Sequence, residues 1–314
     1  MKPVAQVVDV VAAVILAPDG RFLLARRPEG KPYAGYWEFP GGKVEAGETL
    51  FHALARELQE ELGIEVERAD PWLVRFFEYV HASVKLHFFR VVAWHGEPHG
   101  REGQELSWQT PGSVEVAPLL LANGPILRAL ELPPIHAVTN IAEMGEAPFL
   151  AKLVAALEQG LRLIQLREKQ FSVLELERVA HRVIELAHPY DAKVVINGDD
   201  RLVKSVGADG LHLPSAALMA LTARPQTGLC GASCHSATEL ARAAELGLDY
   251  VLLGAVLPTL SHPGAVTLGW DGFAALIKNY PLPVFALGGM SPGCLGTAQS
   301  YGAHGIAMQR AAWG

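Results

Sequence analysis

Glu57, Glu60 and Glu61 stand three and four residues apart in the stretch LFHALARELQEELGI, residues 50–64. On a helix that spacing stacks three carboxylates on one face, where like charges repel by roughly a few tenths of a kcal/mol per pair. The plain reading is a solvated acidic face. The chemical reading is a divalent cation, since Mg2+ takes hard oxygen ligands in an octahedron and commonly bridges carboxylates to substrate phosphates. On that reading the repulsion exists only while no cation is bound. The tight Pro40-Gly41-Gly42 turn ahead of the helix argues for the second reading.

The elements that must position these groups can be read from hydrophobic spacing. Leu50, Leu54, Leu58 and Leu62 recur every four residues and predict a buried stripe on a helix over about 49–62, which Gly63 stops. Upstream, the apolar run from Val10 ends in APDG and resumes as RFLLARR, which predicts a hairpin over 10–26. Strands are expected near 72–80 and 84–95. A polar loop, GEPHGREGQELSW, follows them, and GPILRALEL reads as a closing helix. Leu132-Pro133-Pro134 breaks that helix, so 1–131 is expected to form one domain and 132–134 a linker.

From Ile135 the pattern changes to short apolar runs separated by helical stretches. IHAVTN, LRLIQLR, KVVIN, GLHLP, GLCGASC, YVLLGAV, PVFALGG and GIAMQR make eight candidate strands. Eight strands alternating with helices predict a compact parallel (β/α)8 barrel over 135–314, with an open doubly wound sheet as the alternative. The usual last helix is missing after the eighth strand. The exposed flank is expected to pack on the front domain or on a second copy of the chain, so a homodimer is among the expected partners.

Bulk properties narrow the function classes. A net charge of −7 argues against a nucleic-acid polymer as partner, which calls for a basic surface, but leaves single nucleotides open. Three cysteines, Cys230, Cys234 and Cys294, are too few for a disulfide framework and suggest a reducing cytoplasm. Cys230-x3-Cys234-His235 has the look of a metal motif, but alternation puts both thiols on one face of a core strand, where small apolar residues are common. The N-terminal apolar run is interrupted by Asp9 and is too short to span a bilayer, so neither a targeting signal nor a membrane segment is expected.

With these residues in view, the front half resembles the Nudix hydrolases. Their box, G-x5-E-x7-R-E-U-x-E-E-x-G-U with U a bulky aliphatic, is matched at Gly42, Glu48, Arg56, Glu57, Leu58, Glu60, Glu61, Gly63 and Ile64. The resemblance implies an α/β/α sandwich with a mixed sheet, and cleavage of a nucleoside diphosphate linked to another group. Glu57, Glu60 and Glu61 would hold Mg2+, with Mn2+ as a substitute, and Arg56 would orient a glutamate. The flanks WEFPGGKVEAGET and GEPHGREGQ look like the MutT-type 8-oxo-dGTP diphosphatases. That likeness implies a metal contact from the Gly41 carbonyl and a metal-ligand or general-base role for Glu102.

The same likeness places Arg27 and Lys43 with the substrate, Arg27 near its phosphates, although a solvated arginine ending a strand reads almost as well. It also places Asn123 of ANGP on the oxidised guanine. An amide suits that work because it donates and accepts at once, while Asn-Gly-Pro is also an ordinary turn sequence. The implied reaction is attack of water on the β-phosphorus of 8-oxo-dGTP, giving the monophosphate and pyrophosphate, with Glu57 or Glu102 taking the proton. Its purpose would be DNA repair by cleansing the nucleotide pool. Other nucleoside triphosphates and thiamine-pathway pyrophosphates are rival substrates.

Residues 135–310 resemble thiamine-phosphate synthase and the TenI-type thiazole tautomerase. QLREK matches the family's pyrophosphate-holding positions at Gln165, Arg167 and Lys169, and Asn197, His212 and Ser233 follow in VIN, ADGLHL and GAS. Gly288 and Gly289 in ALGGM stand where backbone N–H groups could cradle a phosphate. The departures weigh against synthase activity. NGDDR carries one residue more than the family's Asn-Asp-Arg, which shifts Asp199 and Asp200, and HLPSAAL lacks the second metal aspartate. In PTLSHPG, Thr259 and Ser261 are kept in kind but His262 replaces a lysine. LLGAVLPT does not place the TenI histidine. The expectation is therefore a barrel that binds a phosphorylated thiamine-pathway ligand beside an active front domain. An active synthase whose front half clears damaged or toxic pyrophosphates is one alternative, and a non-catalytic phosphate-ligand sensor is the other.

Overall fold

The computed structural model describes residues 7–79, 82–259, 264 and 266–314. The chain divides into two compact units, one of Met1–Leu132 with Lys278–Pro281 and one of Pro133–Ile277 with Leu282–Gly314.

In the first unit, strands β1 (Val8–Ile15), β2 (Phe22–Arg26) and β3 (Trp37–Glu38) precede helix α1 (Leu50–Leu62). Strands β4 (Glu65–Glu78), β5 (Ser83–His95) and β6 (Leu106–Gln109) follow, and helix α2 (Gly124–Leu130) closes the unit. One sheet is mixed, in the order β1-β5-β4, with β1 parallel and β4 antiparallel to β5. The other is antiparallel, in the order β3-β2-β6.

Strand β1 shows how the layers form. Val11, Ala13 and Ile15 pack with Leu54, Leu58 and Leu62 of α1, while Ala12 and Val14 pack with Ile126 and Ala129 of α2. Successive side chains of a strand point to opposite faces. A strand apolar on both faces therefore sits between two helices, and the unit is an α/β/α sandwich.

Two sequence expectations change. The hairpin expected over 10–26 is not one: β1 and β2 lie in different sheets and meet only at an isolated antiparallel bridge, Leu16 to Phe22. Strand β1, buried from Val11 to Ile15, pairs along its edge with β5, which leaves β2 to pair β3 and β6. The strand expected from residue 72 begins at Glu65, and register shifts around Arg68 and Pro71 break the alternation that would have revealed it. Helix α1 agrees with its pattern. The Thr49 side chain accepts a hydrogen bond from the His52 N–H, and Gly63 turns the chain out at φ 68°.

The second unit is a closed eight-stranded parallel barrel. Its strands are β7 (Ile135–Val138), β8 (Leu163–Leu166), β9 (Lys193–Asn197), β10 (Gly210–Leu213), β11 (Leu229–Cys234), β12 (Tyr250–Gly254), β13 (Val284–Leu287) and β14 (Gly305–Met308). The ring runs in chain order and closes through β14 beside β7, which excludes the open sheet. After β14 comes a short turn of 3-10 helix, Arg310–Ala312. Trp313 then folds back, its indole N–H donating to the Val138 carbonyl at 2.8 Å and its ring meeting Phe149 edge-on at 4.8 Å.

Candidate active site

The acidic cluster is assembled by three local devices. The first is the Pro40–Gly42 turn, which lies along β1: Ala13 N–H donates to the Pro40 carbonyl and Val11 N–H to the Gly42 carbonyl, at 2.8 and 2.9 Å. Gly41 has φ +144°, and a Cβ there would fall 2.1 Å from the Val11 carbonyl oxygen. A Cβ on Gly42 would overlap the Glu57 carboxylate at 2.2 Å. Gly41 is therefore demanded by its backbone neighbour, while Gly42 leaves the room that the Glu57 carboxylate fills.

The second device is Arg56. Its guanidinium donates to both oxygens of Glu48 at 3.0 Å, to Glu57 at 2.9 Å and to the Lys43 carbonyl at 3.0 Å. Glu60 stands 3.5 Å from it with a side chain 60% exposed. Arg56 thus pins Glu57 against the glycine turn and lies among carboxylates rather than beside the pocket.

The third device is the loop before β6. His99 and Arg101 donate backbone N–H bonds to the carbonyls of Leu62 and Glu61, and the Gln104 amide donates to Glu61 at 3.0 Å. These are carbonyls that the end of α1 leaves unpaired. Capping them brings Glu102 to the side of Glu61. Gln104 also accepts the Glu102 N–H at 2.8 Å.

A cavity of about 570 Å³ opens over this cluster, in the size range of small-ligand sites. Gly41, Lys43, Glu57 and Glu61 line it together with Arg27, Glu38, Tyr33, Tyr79 and Asn123. Burial pushes the Glu61 carboxyl up to about 7, and the charges of Glu38 and Glu57 add to that against the pull of Gly41 N–H and Lys31. Burial also raises the Glu38 carboxyl, against the pull of Arg27. Arg27 is ion-paired to Glu38 and donates to the Pro32 carbonyl at 2.7 Å. Asn123 is buried and donates to the Trp37 carbonyl at 3.3 Å. It ends a short 3-10 turn running into α2, rather than a free loop.

The structure therefore brings Glu57, Glu61, Gly41, Lys43, Arg27 and Asn123 to one cavity, and leaves Glu60 and Glu102 outside its walls. Among the described residues no three His, Cys, Asp or Glu side chains close into a metal cage. The donors still fit a hard divalent cation. They are carboxylates facing one another, one of them held near neutrality by its burial and its acidic neighbours, with a carboxylate-filled notch over Gly42. Lys31, Glu38, Tyr33 and Tyr79 line the cavity with no pattern in the sequence to announce them.

In the barrel, Gln165 is buried and its amide N–H donates to Asn197 Oδ1 at 2.9 Å, so these two positions on neighbouring strands are joined. Ser233 Oγ lies 2.9 Å from His212 Nε2, and His212 Nδ1 lies 3.2 Å from the Tyr250 hydroxyl. Arg167 is placed by its own N–H, which donates to Thr139 Oγ1 at 3.0 Å. Glu168 accepts the N–H groups of Ile141 and Ala142 at 2.8 and 3.1 Å, which anchors the turn that carries the exposed Lys169. Gly288 and Gly289 have φ +94° and +69°, and a Cβ on either would come within 2.7 Å of the β12 loop, at Ala255 and Leu257. Asp199 caps the helix at 200–206, accepting from Arg201 and Leu202. Thr259 is described, whereas Ser261 and His262 lie outside the described residues. Cys230 and Cys234 are buried, their thiols pushed up to about 11 and about 12 by burial, and His235 Nδ1 is 2.7 Å from the Gly254 carbonyl.

Comparison with known proteins matches both halves. The NUDIX domain model covers residues 7–130, and the thiamine monophosphate synthase (TMP-TENI) model covers residues 135–312. The 8-oxo-dGTP diphosphatase of Haemophilus influenzae is 39% identical over 125 residues, 40% of this chain and 92% of that protein. The CTP pyrophosphohydrolase of Escherichia coli is 41% identical over 124 residues, 40% of this chain and 91% of its own length. The thiamine-phosphate synthase of Limosilactobacillus fermentum is 34% identical over 167 residues, 51% of this chain and 78% of that enzyme. With a complete box on a sandwich and a family match spanning the closed barrel, the chain belongs to the Nudix hydrolases, of the MutT type, through its first domain, and to the thiamine monophosphate synthase/TenI family through its second.

Proposed function

We propose that the first domain, residues 1–131, is a Mg2+-dependent pyrophosphohydrolase of nucleoside triphosphates, with oxidised purine nucleotides such as 8-oxo-dGTP as its substrates. The observation that carries this is one cavity lined by Glu57 and Glu61 together with Asn123. The carboxylates suit a metal-bound triphosphate and the Asn123 amide a base edge. Glu57, Glu60, Glu61, Glu102 and the Gly41 carbonyl are the proposed metal contacts, and Mn2+ is a workable substitute. A bound divalent cation would neutralise charge developing on the phosphates and acidify water.

The chain's own groups supply the rest. Arg56 holds Glu57 in place from behind. Arg27 and Lys43 face the phosphates from the cavity wall, and Asn123 reads the base. Water attacks the β-phosphorus, the α–β bridging bond breaks, and the bridging oxygen leaves with the nucleoside monophosphate. The water proton passes to Glu57 or Glu102, and pyrophosphate is the second product.

For the second domain, residues 135–314, we propose binding of a phosphorylated thiamine-pathway ligand at Gln165, Arg167, Lys169, Asn197, Ser233, Thr259, Gly288 and Gly289. The joined Gln165–Asn197 pair and the glycines pressed on the β12 loop support a retained pocket. Asp199, spent on a helix cap, is not in a position to replace the missing metal aspartate.

The experiment is release of pyrophosphate and monophosphate from 8-oxo-dGTP, dGTP, CTP and thiamine diphosphate, each with and without Mg2+. A Mg2+-dependent preference for 8-oxo-dGTP supports the proposal. Preference for thiamine diphosphate would replace it with a single pathway served by both domains.

A further inference from the structure

Lys31 holds a position that the metal-site reading does not use. Its ammonium lies 2.7 Å from Glu102 Oε2 and 4.0 Å from Glu61 Oε1, on the wall of the same cavity as Glu57. Arg56 is taken by Glu48 and Glu57, and Arg27 by Glu38. Among the described residues, Lys31 is the one cation within ion-pair distance of Glu61 or of Glu102. It reaches them from an exposed loop that carries Pro28, Gly30, Pro32 and Gly35. Glu61 and Glu102 are separated by 41 positions in the sequence, and Lys31 closes the gap between them as a point charge.

An ammonium and a divalent cation compete for these carboxylates, because each is drawn to the same negative charge. Mg2+ sits about 2.1 Å from its ligands, which would put it within a few ångströms of Nζ, where like charges repel strongly. The pair is about half exposed on both sides, at 46% and 44%, so leaving it costs little. We propose that Lys31 is a built-in counter-cation of the metal carboxylates. It bridges Glu61 and Glu102 in the metal-free protein, competes with the divalent cation for them, and is expelled when that cation binds. The inference rests on the metal-site reading above, and it makes the apparent metal affinity weaker than the carboxylates alone would set.

The test is Mn2+ binding to the full chain, followed by titration calorimetry, for wild type, Lys31→Met, Lys31→Arg, Lys43→Met and Glu57→Gln. Lys43 lines the same cavity but has no carboxylate partner among the described residues, so Lys43→Met measures the general loss of one positive charge. Lys31→Met should tighten Mn2+ binding by roughly threefold to fivefold, as loss of a competing surface ion pair would. Lys31→Arg should stay near wild type, and Lys43→Met should change binding less than about twofold. Unchanged or weaker binding in Lys31→Met, or a gain matched by Lys43→Met, overturns the inference while the metal site stands. If wild type shows no Mn2+ binding that Glu57→Gln removes, the metal-site reading fails and takes the inference with it.

Discussion

The carboxylate of Glu57 lies directly over the α-carbon of Gly42, so that a methyl group on Gly42 would come within 2.2 Å of Glu57 Cδ. The glycine turn and the acidic helix are therefore one device. The turn leaves open the volume the carboxylate fills, and Arg56 holds the carboxylate there.

Gly42→Ala should push the Glu57 carboxylate out of its notch and cut hydrolysis by at least about tenfold, since catalytic groups tolerate little displacement. The obstacle is the end of a flexible side chain, so the melting temperature should move only slightly. Glu57→Gln, isosteric but poorer as a metal ligand, should lower Mg2+-dependent turnover by about a hundredfold or more with the fold intact. Wild-type pyrophosphate release in either variant would break the link between turn and carboxylate.

Asn123→Ala should lower the preference for 8-oxo-dGTP over dGTP by about tenfold, because a site built to hydrogen-bond a base loses discrimination with the contact. Asn123 also donates to the Trp37 carbonyl, so a stability loss of about 1 kcal/mol should accompany it. Ratios of kcat/KM for the two substrates, set beside thermal melts, separate the two effects. An unchanged ratio would leave Asn123 a purely structural residue.

Glu61 makes the metal-free protein pH-sensitive. Its carboxyl sits at about 7 in the fold against an ordinary 4.5, so folding favours the protonated form. That contribution is complete below about pH 4.5 and is lost as pH rises through 7, by about 3 kcal/mol at most. Melting of the front domain in a chelator should therefore drop across that window, and Glu61→Gln, which mimics the protonated acid, should flatten the drop. Identical pH profiles for the two proteins would contradict the assignment.

In the barrel core the sign is reversed. Burial brings the His136 imidazole down to about 3, and its ring packs against His212, Tyr250 and Phe285. The neutral form is favoured, so stability is full above about 6.5 and falls on acidification, by about 2 kcal/mol at pH 5. His136→Phe keeps a ring in that packing and removes the titration. Its barrel should lose less stability between pH 7 and pH 5 than wild type, as read from denaturant midpoints.

The features legible in the sequence are those carried by neighbours along the chain. The leucine repeat from Leu50 to Leu62 with its Thr49 cap and Gly63 stop marks α1, because residues four apart share a helical face. The acidic face of Glu57, Glu60 and Glu61 follows from the same geometry. Each barrel strand is a short apolar run buried on both sides, which parallel sheets require, so eight runs announced eight strands.

Pairing between distant segments has no such local mark. Nothing in APDG shows that β1 turns away from β2 to lie beside β5, since either partner would satisfy its backbone. Nothing near Lys31 shows that it meets Glu102 71 positions away, or that Arg27 is spent on Glu38. The sequence by itself determined which helix would carry the carboxylates and which family each half belongs to, because periodicity and motif are properties of adjacent residues. Only the tertiary structure decided which charges face one another across the cavity, because that depends on where the caps of α1 and the ends of separate strands come to rest in space.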